Sequence, residues 1–319
     1  MDKCKVCGNA HRNQLYPVKE MQLGLRETFH YMECDQCGCI QLLDLPENLE
    51  KYYPAKGYYS FHLGLNFRNK PDLLRKLKAA YLIYGKSQLL GRLLSIGYKA
   101  PELINWLKNT GVQYQDNILD VGAGNGSLLL NLFRIGFTRL SGADPFIEKD
   151  LQYGPVSIYR KNIFELSGQY DLIMLHHAFE HMDEPGKVLQ QLYRLLKKGK
   201  YLLIRTPVMG NYSWTKYGTN WMDLDAPRHI IVHSVKSMQL LAAEAGFEIK
   251  KIVFDGNYMS LIGSEQYSKG IALNDPNSYM VNKAETSFTA NDIRKFKKMN
   301  QQLNRDERAN QAAFYLFKP

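Results

Sequence analysis

The chain has 319 residues, 45% of them hydrophobic, with 41 lysines and arginines against 31 acidic residues and a net charge of +10. This is enough apolar material for one large core or several modules, so a wholly disordered chain is excluded. The positive balance favours an anionic partner: nucleic acid, a phosphorylated small molecule or an acidic membrane surface.

The opening, "MDKCKVCGNA", lacks the apolar run of a secretory signal. No stretch approaches the roughly 18 uncharged apolar residues of a membrane span, so a cytoplasmic protein is expected. All five cysteines fall within the first 39 residues: Cys4, Cys7, Cys34, Cys37 and Cys39. Cys4-x2-Cys7 and Cys34-x2-Cys37 form two pairs, each followed by a glycine (Gly8 and Gly38) that permits a tight turn toward thiolates. In a reducing compartment this spacing points to tetrahedral Zn²⁺ on Cys4, Cys7, Cys34 and Cys37 rather than to two disulfides. Four thiolates leave no open position, so the metal is expected to be structural. Cys39 is either a spare thiol or a replacement for Cys37.

Residues 1–45 read as a zinc-ribbon-like module of short strands and turns, and 46–110 as a helical and aromatic linker or lid. There, "KYYPAKGYYSF" sets Tyr52, Tyr53, Tyr58, Tyr59 and Phe61 beside Lys51 and Lys56. This composition suits either stacking on a sugar or base or packing between modules. The following "PDLLRKLKAAYLIYGKSQLLGRLL" repeats apolar residues at helical spacing among Arg75, Lys76, Lys78, Lys86 and Arg92. Its basic side is either a solvated face or a peripheral membrane contact.

From 117 the pattern alternates. "NILDVG", "LSGAD", "DLIMLHH" and "KYLLIRTP" read as strands; "SLLLNLFRIG" and "PGKVLQQLYRLLKKG", closed by Gly199, read as helices. A helix in "SVKSMQLLAAEAGF", capped by Ser234, and a strand in "EIKKIVFDG" follow. The predicted fold is α/β, a doubly wound parallel sheet with helices on both faces, covering 111–265. Residues 266–319 are expected to form a C-terminal extension, with "SFTANDIRKFKKMNQQLNRDERANQAAF" as a helix capped by Thr289 or Asn291.

"LDVGAGNGSLL" places Gly122, Gly124 and Gly126 in the first strand-to-helix turn, where the backbone can approach a ligand closely. The dinucleotide fingerprint is not met, because the third glycine comes one residue early, and no Gly-Lys-Ser/Thr of a P-loop follows. Asp144 closes the next strand, 22 positions after Gly122, where a carboxylate can accept from both hydroxyls of a ribose.

With these residues the segment from about 110 to 265 resembles the class I S-adenosylmethionine-dependent methyltransferases. The resemblance implies a Rossmann-like core whose cofactor's methionine part lies along Asp120, Gly122, Ala123 and Gly124. It also implies a ribose on Asp144 and Pro145, an adenine between Asn162 and Ile163, and His176 close to the cofactor.

"LIMLHHAFEHMDEP" contains His177-Ala-Phe-Glu180-His181, which also matches the H-x-x-E-H of inverted zinc peptidases. That reading needs two histidines on one face of an established helix and a third protein ligand, and the ribose loop upstream argues against it. The stretch resembles instead the segment after the corresponding methyltransferase strand, which puts His177 near the sulfonium. Glu180 and His181 either bond each other or take part in the chemistry. "LLIRTP", with Thr206 and Pro207, and "DAPRHIIVHS", with His229 and His233, resemble motifs lining the acceptor side. Where the acceptor must lose a proton, His177 or His229 is the expected base, with His181 third.

Together with the cysteine pairs, the chain resembles bacterial methyltransferases that modify sugars, including nucleotide-linked sugars and surface-polysaccharide precursors. The expected function is methyl transfer to a small anionic acceptor. An RNA methyltransferase and a non-enzymatic cofactor-binding adaptor are the alternatives.

Overall fold

The computed structural model describes residues 3–53, 70–85, 88–98 and 101–319. Tyr58, Tyr59, Phe61, Lys56 and Lys86 lie outside the described residues.

The cysteine module is a small antiparallel sheet built from β1 (Gln14–Lys19), β2 (Thr28–Glu33) and β3 (Ile40–Leu42). Its fourth strand comes from far along the chain: β10 (Ile231–Val232) pairs antiparallel with β3. The module is thus stitched to the segment carrying His229.

The basic helical segment folds as α1 (Leu73–Tyr84) and α2 (Gln88–Leu94). Asp72 caps α1 by accepting from the Arg75 N–H, and Gly85 ends it at φ +67°, in the left-handed region. A third helix, α3 (Glu102–Leu107), leads into the core.

That core is an eight-stranded sheet in the order β11-β12-β9-β8-β4-β5-β7-β6. Its strands are β4 (Ile118–Val121), β5 (Leu140–Ala143), β6 (Leu151–Tyr153), β7 (Val156–Tyr159), β8 (Tyr170–His176), β9 (Leu196–Pro207), β11 (Glu248–Phe254) and β12 (Gln311–Phe317). The central pairings from β9 through β8, β4 and β5 to β7 are parallel, while β6, β11 and β12 join antiparallel.

Strand parity divides the core into two layers. On one face Leu119, Val121, Ile173 and Leu175 meet Val188, Leu189 and Leu192 of α5 (Pro185–Leu195) and Met238 and Leu241 of α7 (Val235–Glu244). On the other, Ile118, Leu172 and Met174 meet Leu103, Ile104 and Leu107 of α3 and Leu129, Leu130 and Phe133 of α4 (Ser127–Arg134). This is the doubly wound α/β architecture expected, with mixed edges.

Two expected boundaries differ. The helix expected to run to Gly199 stops at Leu195, because Leu196 already pairs with Tyr170 and begins the twelve-residue β9. The long C-terminal helix is shorter too. α9 (Ala290–Arg305), capped by Thr289 in a reciprocal bond with Asp292, gives way to β12, which inserts between β9 and β11 and is buried along nearly its whole length. A strand paired on both sides must bury both faces, so its apolar run has no alternation to betray it. Two further helices, α6 (Tyr212–Tyr217) and α8 (Tyr258–Ser268), pack against each other. Among the described residues, no helix is long and apolar enough to cross a membrane.

Candidate active site

The turn after β4 is fixed by two backbone bonds to one carbonyl: Gly122 N–H and Ala123 N–H donate to Ala143 O at 2.8 and 3.2 Å. Gly122 has φ +78°, and a Cβ there would lie 2.5 Å from the Ala178 Cβ. Gly126, at φ +80°, would put a Cβ 2.2 Å from Ile158 Cδ1. Only glycine meets both demands at once.

Asp144 faces this loop, its Oδ2 accepting from Gly124 N–H and its Oδ1 from Phe146 N–H, both at 2.9 Å. Burial raises the pKa of its carboxyl and these two bonds oppose the rise. Asn162 caps the short turn Ile163–Glu165, its side-chain oxygen accepting from Phe164 N–H at 3.1 Å. One lone pair of that oxygen is therefore already engaged.

Gly122, Asp144, Pro145, Asn162 and Ile163 line a cavity of about 360 Å³ at the carboxyl ends of the parallel strands, together with His177 and His181. Asp120, Ala123, Gly124 and His229 are not among its lining residues. Asp120 lies beneath the loop, 3% exposed, where burial and then the Asp144 charge push its pKa up to about 8. A folded-state value above the ordinary 3.8 means a contribution that is lost as pH rises from the unfolded value through the folded one. Asp120→Asn is accordingly expected to melt higher than wild type at pH 8 and no higher below pH 4. Thermal melts of both proteins across that range, without cofactor, check this.

His176 was expected close to the cofactor. It does not line the cavity; its ring packs on Trp106 at 4.5 Å, and both ring nitrogens are buried without a hydrogen bond. The strand ends there, and the next residue, His177, takes φ +52°, turning its own ring to the cavity. Strand parity alone could not show which of the two adjacent histidines would face the ligand.

His177 Nε2 lies 2.8 Å from an Arg205 N–H, and Arg205 Nε donates to Asp255 at 2.7 Å. A guanidinium only donates, so His177 accepts at Nε2 and carries its proton on Nδ1, 3.3 Å from Glu180 Oε1. With Nε2 engaged and Nδ1 protonated, neutral His177 has no spare lone pair. This arrangement also rules out the peptidase reading, which requires His177 as a metal ligand.

His181 Nδ1 is 2.8 Å from Arg228 O and 3.1 Å from the Tyr53 hydroxyl, and His229 Nδ1 is 2.7 Å from Asp223 O. Carbonyls only accept, so both rings are protonated at Nδ1 and, when neutral, keep a lone pair on Nε2. Burial, then the His229 charge, lowers His181 to a pKa of about 4, so it is neutral at physiological pH.

Glu180 is fully buried. Burial works against its charge, but His177 first, then His229 and His181, hold its carboxyl well below the usual range. Its Oε2 accepts from Thr206 at 2.9 Å, while Oε1 faces His177 Nδ1 at 3.3 Å without a well-formed hydrogen bond. His233, fully buried and stacked on Phe179 at 4.9 Å, stands outside this group.

Arg205, Tyr53 and Thr206 complete the site. Thr206 belongs to a motif the sequence singled out, and Tyr53 to the aromatic run, where it stacks on Phe146 at 5.6 Å. Arg205 carried no sequence signal.

The cysteines converge as expected. Cys4, Cys7, Cys34 and Cys37 place their sulfurs within 4.8 Å of one another, with Cys4–Cys37 and Cys7–Cys34 at 3.5 Å. A tetrahedron with metal–sulfur bonds of about 2.3 Å has edges near 3.8 Å, so the donor set fits zinc. Val6 N–H to Cys4 Sγ at 3.4 Å and Cys37 N–H to Cys34 Sγ at 3.5 Å are the knuckle bonds that steady thiolates. Cys39 is adjacent and buried, its Sγ 3.5 Å from Cys4 and 3.4 Å from Cys37.

The family described as "Methyltransferase domain" matches residues 79–252. Curated relatives include the ubiquinone biosynthesis O-methyltransferases of Shewanella pealeana and Sodalis glossinidius. The first is 30% identical over 119 residues, 33% of this chain and 50% of that protein; the second is 26% identical over 151 residues, 42% and 60%. The chain thus spans between half and three fifths of the length of these two relatives. Among solved structures, a geranyl diphosphate methyltransferase in complex with SAM aligns with a TM-score of 0.47 at 14% identity, over 81% of this chain and 99% of that one. The complex of the Haloferax volcanii Trm112 methyltransferase activator with a putative methyltransferase aligns at 0.46 and 17%, over 67% and 87%.

Proposed function

The chain belongs to the methyltransferase-domain family, and we propose that it is an S-adenosylmethionine-dependent methyltransferase whose acceptor is a small anionic molecule methylated on oxygen, a nucleotide-linked or polysaccharide-pathway sugar. The observation that carries this reading is that one cavity joins the glycine loop and Asp144 to His177 and His181.

When bound, S-adenosylmethionine supplies an electrophilic methyl on a sulfonium. Gly122 gives the backbone approach, Asp144 the acceptors for two ribose hydroxyls, and Asn162 with Ile163 the walls for the adenine. His229 and His181, with Nε2 lone pairs, are the groups suited to a hydroxyl proton; His177, fixed between Arg205 and Glu180, positions the carboxylate. Lys161 at the cavity rim suits a phosphate or carboxylate on the acceptor. An oxygen acceptor is supported by the curated relatives being named O-methyltransferases. We further assign structural Zn²⁺ to Cys4, Cys7, Cys34 and Cys37, and a cytoplasmic setting, which suits thiols that form no disulfide.

Calorimetry with S-adenosylmethionine and its demethylated product tests the cofactor assignment, and absence of binding overturns it. Labelled methyl transfer to nucleotide sugars, compared with RNA over a salt series, tests the acceptor. Transfer to RNA with a steep salt dependence overturns the sugar reading.

A further inference from the structure

We propose that Glu180, His181 and His229 form a second metal site, distinct from the cysteine cluster, for a divalent cation of the zinc or manganese type. One ligand atom from each lies within 4.8 Å of the other two, and Glu180 Oε1 is 3.9 Å from His229 Nε2. Two independent features fix the donors. Each histidine gives its Nδ1 proton to a backbone carbonyl, the outer-shell bond that leaves Nε2 for a metal. Glu180 Oε1 is fully buried and makes no well-formed hydrogen bond, with His177 Nδ1 3.3 Å away, and it stands 3.9 Å from His229 Nε2.

A single transferred proton needs one lone pair. Two, facing a buried carboxylate oxygen, make a donor set of two imidazoles and one carboxylate, which suits borderline cations better than Mg²⁺ or Ca²⁺. The other groups nearby are already committed. Asp225 Oδ2, 3.7 Å from His229 Nε2, accepts from Arg228 Nε at 2.9 Å, and His177 Nε2 is held by Arg205. Three protein ligands leave coordination positions open, and His181 lines the cavity, so the open side faces the acceptor. The cation would hold an acceptor oxygen there and make its proton easier to lose to solvent; with the metal bound, the Nε2 lone pairs of His181 and His229 would be its ligands and no longer free to take that proton. This role rests on the proposed function; the site itself does not.

The test uses the full chain with its cysteine cluster loaded with zinc, titrated with Mn²⁺ while the free-ion paramagnetic resonance signal is followed. Mn²⁺ is too hard an ion to displace zinc from thiolates. One equivalent is expected to bind saturably, and spin-echo spectra of the bound ion are expected to show coupling to imidazole nitrogen. His229→Gln and Glu180→Gln are each expected to weaken binding by at least about tenfold. Thermal melts of each variant separate loss of the metal site from loss of the fold. Wild-type protein that binds no Mn²⁺ at millimolar concentration overturns the site, as does bound Mn²⁺ without nitrogen coupling. Neither readout needs cofactor or acceptor, so a failure here leaves the methyltransferase reading standing, and loss of cofactor binding leaves this one standing.

Discussion

Asp144→Ala is expected to weaken S-adenosylmethionine binding by about a hundredfold, read by calorimetry. The carboxylate is held in place before any ligand arrives, because Gly124 and Phe146 each donate a backbone N–H to it. Each of its two oxygens then has a lone pair left for a ribose hydroxyl. A hydrogen bond to a charged group contributes about 1.5–3 kcal/mol, so losing a pair removes on the order of 3 kcal/mol, the stated factor. Asp144→Asn, which keeps one accepting oxygen, is expected to fall between the two. Wild-type affinity in the alanine variant would mean that the ribose is held elsewhere, and the assignment of the cavity would fail with it.

The glycine loop and the carboxylate facing it were legible because their constraints are local. A turn needing positive φ and no side chain is written as glycine, and the acid that faces it closes the neighbouring strand. The cysteine cluster was legible for the same reason, since two short pairs with following glycines carry their geometry with them. The histidine cluster was only partly legible. His177 and His181 were found as residues, but their protonation follows from partners distant in sequence: Arg205 for one, the Arg228 carbonyl for the other. His176, which the resemblance put close to the cofactor, packs on Trp106, and the left-handed residue that follows turns His177 to the cavity instead. β10 and β12 were missed outright, one for being two residues long and the other for being buried on both faces.

Cys34→Ser is expected to cost the cysteine cluster its zinc and the enzyme most of its turnover, while cofactor affinity stays near wild type. A structural zinc site contributes about 10–16 kcal/mol of apparent binding energy that is also folding energy, so a module this small should not stay ordered without it. The damage should reach the acceptor side through specific joints. β3 pairs with β10, Tyr31 donates to the His229 carbonyl at 2.9 Å, and Arg228 reaches back to Glu20 at 3.4 Å and to the Tyr52 carbonyl at 3.1 Å. Ile230 and Ile231 pack directly among Cys4, Cys34, Cys37 and Cys39. Removing that support frees the segment bearing Arg228 and His229, whose carbonyl and ring set the histidine geometry. The glycine loop and Asp144 rest on the central parallel strands and share none of these joints. Zinc content, cofactor calorimetry and steady-state rates on the same preparation separate the outcomes. A variant that loses its thiolate-bound zinc yet keeps full turnover would show that the module does not hold the acceptor side.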